Sequence, residues 1–145
     1  MNEPPFDLAL RDNPTRPAPV PYRLDAPNVV VIVLDDLGFA QLGCYGSSID
    51  TPNIDRLADR GIRFTNFHTT AVCSPTRACL LTGRNHHRVG MGMLPDLPVN
   101  FPAYTGQFPD GAATIAEILR GEGYATTAIG KWHLVPRDQR ATGPY

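Results

Sequence analysis

Apolar positions along this chain fall into two kinds of pattern. Residues 29–34, Val-Val-Val-Ile-Val-Leu, form an unbroken β-branched run. Such a run suits a strand covered on both faces within a parallel sheet. Residues 62–69 and 124–129 predict two further strands. Between them the apolar positions recur at helical spacing. Thr51-Pro52 reads as an N-cap and first helical residue, Ile54, Leu57 and Ala58 mark one face, and Gly61 is the stop. Ser74-Pro75 opens a second helix in the same manner; Ala78-Cys79-Leu80-Leu81 continue it and Thr82-Gly83 end it. Thr114-x-x-Glu117 is a capping box for a third helix, with Ile115, Ile118 and Leu119 on one face and Gly121 and Gly123 at its end. Residues 85–111 are rich in Gly and Pro and predict mostly loop.

The predicted order is strand, helix, strand, helix, loop, helix, strand. That order implies an α/β fold, a mostly parallel sheet with helices on both faces. Parallel strands all end on one side, and ligands of open α/β sheets bind at that edge. The first strand runs into Asp35-Asp36-Leu37-Gly38 and the last into Gly130-Lys131-Trp132-His133. Two carboxylates, an ammonium and an imidazole are therefore expected at one edge. Lys131 and His133 are one residue apart, so on a strand they face the same side, with Trp132 turned into packing.

Composition narrows the classes. The 145 residues suffice for one ordinary domain. A net charge of −1 gives no reason to expect a nucleic-acid or membrane-surface partner. Lys131 is the only lysine, and no apolar run approaches a membrane span. The start, Met1-Asn2-Glu3-Pro4-Pro5, lacks the charged and apolar parts of a signal peptide, so a cytoplasmic location is expected. Three cysteines argue against a disulfide scaffold. Seven of the fifteen prolines fall within residues 1–27, which predicts an irregular arm ahead of a folded portion at 28–145.

The densest chemistry lies in Cys73-Ser74-Pro75-Thr76-Arg77. It puts a thiol just ahead of a helix start and an arginine one turn inside. A helix N-terminus presents unpaired N–H groups to an anion, and Arg77 adds a charged donor. A nucleophile beside such a pocket suits transfer of a phosphoryl or sulfuryl group. Asp35 and Asp36, directly after a buried strand, read as ligands of a hard cation rather than as solvated turn residues. Cys44 and Cys79 read as structural. A zinc site from Cys73, Cys79, His86 and His87 matches no common spacing. His68 reads as a packing or hydrogen-bonding residue, and His86 and His87 as substrate-pocket or structural residues.

Cys73-x-Pro75-x-Arg77, followed by Leu81-Thr82-Gly83-Arg84, resembles the signature of type I sulfatases, bacterial arylsulfatases among them. Gly130-Lys131-Trp132-His133-Leu134 resembles a second signature of that family, although Val135-Pro136 stands where the family usually has glycine. The likeness runs from about Pro27 to Leu134. It implies a three-layer α/β/α domain of the alkaline-phosphatase-like kind. It implies that a generating enzyme oxidises Cys73 to formylglycine, whose hydrate attacks the sulfur of a sulfate ester. Asp35 and Asp36 would hold a divalent cation, calcium first and magnesium second, with position 73 completing the metal contact. Arg77 would support the nucleophile and the metal-site carboxylates, Lys131 would contact a sulfate oxygen, and His133 would orient the hydrate. Arg84 would serve the helix end.

The resemblance also sets the expected shortfall. The family's other metal ligands, a second histidine and a second lysine lie further along than Tyr145. The chain is therefore expected to be the N-terminal portion of a sulfuric ester hydrolase. One alternative is an inactive partial domain. Another is a phosphonate or phosphate monoester hydrolase of the same superfamily.

Overall fold

A computed structural model describes residues 25–136. Most of the proline-rich arm, and residues 137–145, lie outside them. Among the described residues there are three α-helices: α1 at Pro52–Arg60, α2 at Cys73–Thr82 and α3 at Ile115–Gly121. Among the described residues no helix is long and apolar enough to cross a membrane.

Each helix follows from its local sequence. Pro52 occupies the first turn of α1, where its missing N–H costs nothing. Thr51 is the N-cap residue as expected, but its hydroxyl makes no cap hydrogen bond; it accepts from the Gly43 N–H at 2.8 Å and donates to Asp55 at 2.8 Å. Asp55 in turn accepts from the Cys44 N–H at 2.7 Å, which ties α1 to the turn before it. In α3 the expected capping box forms: Glu117 N–H donates to the Thr114 hydroxyl, and the Glu117 carboxylate accepts from the Thr114 N–H at 2.6 Å.

Helix α2 begins earlier than its cap signal suggests. Val72, not Ser74, is the N-cap, and Cys73 lies in the first turn rather than ahead of it. Ser74 is fully buried and its hydroxyl donates to the His133 carbonyl at 2.6 Å. The hydroxyl is used in a long-range contact, so the helix start has no side-chain cap, and the Thr76 hydroxyl donates back to the Val72 carbonyl at 2.9 Å. The end is as expected. Gly83 sits at φ 65° and its N–H returns to the Cys79 carbonyl, a left-handed cap that favours glycine.

The expected strands stay unpaired among the described residues. Residues 29–34, 62–69 and 124–129 form no inter-strand ladder among the described residues. Val30 and Ile129 are 81% and 96% exposed. A β-branched run favours extended backbone by itself, but a ladder and a covered face need a neighbour. The stripe of α1 shares this fate, for Leu57 is also exposed.

The core sits elsewhere. Ala78 of α2, Val89 and Met91 from the following loop, Ala112, and Leu134 are buried together, with Leu81, Phe108 and Trp132 packed against them. This cluster clamps α2 to the segment that carries Lys131 and His133. Trp132 packs inward as expected.

Candidate active site

The pinned segments bring most of the expected residues together. Lys131 Nζ lies 2.6 Å from Asp35 Oδ2. Arg77 donates one N–H to the same oxygen at 2.9 Å and another to the Lys131 carbonyl at 2.6 Å. The planar fork of a guanidinium makes this double contact possible. His133 Nδ1 lies 3.3 Å from Cys73 Sγ. Residues 35, 73, 77, 131 and 133 thus form one connected set, drawn from three parts of the chain.

Backbone geometry contributes to it. Asp36 and His133 both have positive φ, 54° and 57°. Left-handed backbone at a residue other than glycine is uncommon, and two cases flanking one site show the surroundings holding them there. Asp36 therefore turns the chain directly after Asp35, and His133 turns it after Lys131.

Electrostatics follow the contacts. The Asp35 carboxyl is held below the usual carboxylate range, first by its hydrogen bond from Lys131, against slight desolvation, then by Arg77. The Lys131 ammonium is pushed above the usual lysine range, first by Asp35, against slight desolvation, then by a hydrogen bond with Cys73. Both groups are partly open to solvent, which screens the pair. Two cations on one carboxylate leave positive charge beside Cys73, suited to an anionic substrate.

The carboxylates fit a hard cation in kind but not in number. Asp35 and Asp36 offer oxygen donors, whereas such a cation takes roughly six or more. Among the described residues no group of three or more His, Cys, Asp or Glu side chains is placed to hold a metal. The same finding leaves the zinc arrangement of Cys73, Cys79, His86 and His87 without support.

The other histidines have structural partners. His86 Nδ1 contacts the Met91 carbonyl, and His87 contacts Asn85 and Tyr104. His68 contacts Asn66. Sequence reasoning missed Asp96, whose Oδ2 lies 3.3 Å from His133 Nε2. It comes from the long loop, and no local pattern around Pro95-Asp96-Leu97 sets it apart.

Comparison with known proteins agrees with the signatures. The Sulfatase family model matches residues 27–144. An uncharacterized sulfatase of Schizosaccharomyces pombe is 48% identical over 115 residues, covering 74% of this chain and 21% of that protein. Arylsulfatase A of Homo sapiens is 50% identical over 110 residues, again 74% of this chain and 21% of the relative. Steryl-sulfatase of Mus musculus is 45% identical over 130 residues, 88% of this chain and 20% of the relative. The chain thus spans about a fifth of the length of these relatives.

Proposed function

The chain belongs to the sulfatase family, and on that premise we propose that it carries the nucleophile and sulfate-binding side of a sulfuric ester hydrolase active site. Membership implies an α/β fold of the alkaline-phosphatase-like kind. The finer arrangement belongs to this reading: a three-layer domain in which residues 29–34, 62–69 and 124–129 are strands of its sheet. The observation that carries the functional reading is the connected set of Cys73, His133, Lys131, Asp35 and Arg77.

Formylglycine formed from Cys73 by a generating enzyme would supply an oxygen nucleophile in place of the thiol. Around that position each side chain has work set by its contacts. Lys131, protonated throughout the neutral range, binds an oxygen of a sulfate ester and draws negative charge off it as the ester bond breaks. Arg77 fixes the Asp35 carboxylate and the Lys131 main chain together, so the ammonium stays aimed at position 73. His133 Nδ1 faces position 73 and orients the group there by a hydrogen bond. Asp35 and Asp36 would supply part of the shell of a divalent cation, calcium or magnesium, with further donors from outside the described residues. The substrate is a small alkyl or aryl sulfate, released as alcohol or phenol and sulfate.

The test is the mass of the peptide containing Cys73, from chain produced alongside an active formylglycine-generating enzyme. The expected peptide has lost one sulfur and two hydrogens and gained one oxygen, and it reacts with a hydrazide probe. An intact thiol in that host would overturn the reading.

A further inference from the structure

Building on the reading of His133 as the residue that orients the group at position 73, we propose that Asp96 is the positioning residue for the His133 ring. Asp96 Oδ2 stands 3.3 Å from Nε2 on one side of the imidazole, and Cys73 Sγ stands 3.3 Å from Nδ1 on the other. A neutral imidazole carries one N–H, and a carboxylate can only accept. Asp96 therefore selects the Nε2–H tautomer and leaves the Nδ1 lone pair aimed at position 73. The opposite tautomer would set the Nε2 lone pair against the carboxylate oxygen and turn an N–H toward Cys73.

The rest of His133 is already held. Its carbonyl accepts from buried Ser74, its neighbour Leu134 is in the core, and Trp132 packs on the same cluster. The freedom that remains is in the side chain's own torsions, the last of them broad and two-fold. Asp96 acts on that last torsion.

The loop delivers Asp96 firmly. Pro95 is fully buried. Gly106, at φ 71°, lies so close that a Cβ there would come within 3.0 Å of the Pro95 Cα. Hydrogen bonds from Gly92 N–H to the Ala103 carbonyl and from Gly106 N–H to the Gly90 carbonyl close the loop upon itself. The segment between α2 and α3 thereby becomes a support of the site rather than a passive connection.

Nitrogen-15 NMR of the histidine rings tests this in the 145-residue chain at about pH 8. Wild type is expected to show His133 protonated at Nε2, with slow exchange of that proton. Asp96→Asn should keep the tautomer, because the amide oxygen still accepts. Asp96→Ala should speed the exchange by about tenfold as the acceptor is lost. An Nδ1–H tautomer in wild type would overturn the proposal. So would an Asp96→Ala spectrum unchanged at His133. If Asp96→Ala loses its fold, the wild-type tautomer decides: Nε2–H supports the proposal and Nδ1–H overturns it. The readout uses the thiol form and needs no turnover, so it fails or holds independently of the conversion of Cys73.

Discussion

Asp35 gathers two cationic side chains on one carboxylate oxygen, and its titration reports on the site residue by residue. Its carboxyl is held low, so the favourable contact is complete above the ordinary carboxylate value of 3.8 and is lost as pH falls through the lowered one. The Lys131 amine is held high, so its share is complete below the ordinary 10.5 and is lost as pH rises through the raised value. Between those limits the pair stays ionised, and changes in activity within that window arise from other groups. Carbon-13 titration of Asp35 should give a midpoint below the ordinary value. Lys131→Ala should raise that midpoint more than Arg77→Ala does, since the Lys131 hydrogen bond is the larger cause. Equal midpoints in all three proteins would contradict the network. At this scale the local signatures were legible as a family resemblance: Cys73-x-Pro75-x-Arg77 and Lys131-x-His133 each lie within a few residues. Asp96 was not legible, because its partner lies 37 residues away and packing of the loop, not any pattern, joins them.

Among the elements, the helices were readable and the strands were only half so. Caps and stops are local, and Pro52, Gly83 and the Thr114–Glu117 box sit where their chemistry requires. Ser74 was misread because a buried hydroxyl answered a carbonyl 59 residues away rather than its own helix. The β-branched runs announce extended backbone, but pairing is a long-range property and no ladder forms among the described residues. The capping box of α3 offers the cleanest test. Glu117 is held low, first by the Thr114 N–H and then by the Thr114 hydroxyl. Its contribution is therefore present above the ordinary carboxylate range and lost as pH falls through the lowered value. Thr114→Ala should cost about 1 kcal/mol. Amide exchange within α3 near neutral pH should then speed up by about fivefold, with the difference shrinking in acid. Unaltered protection of α3 would mean that packing, not the box, holds the helix.

For the whole molecule the informative contrast is between a clamped site and uncovered apolar runs. Ala78, Val89, Met91, Ala112 and Leu134 hold α2 against the segment of Lys131 and His133, while residues 29–34 stay exposed on both faces. The order of elements led to the expectation that Asp35, Lys131 and His133 converge, and side-chain contacts bring them together although no ladder forms among the described residues. What would cover the runs did not follow from that order, because the chain spans about a fifth of its relatives' length. A graft supplies the remainder: residues 27–134 of this chain replace the matching segment of human arylsulfatase A, produced with a formylglycine-generating enzyme. Turnover of a chromogenic aryl sulfate by that graft shows whether these residues make a working half of the site. Measurable hydrolysis is expected, lowered about a thousandfold or more by Cys73→Ala. A graft that folds and carries the aldehyde, yet hydrolyses no faster than its Cys73→Ala counterpart, would contradict it.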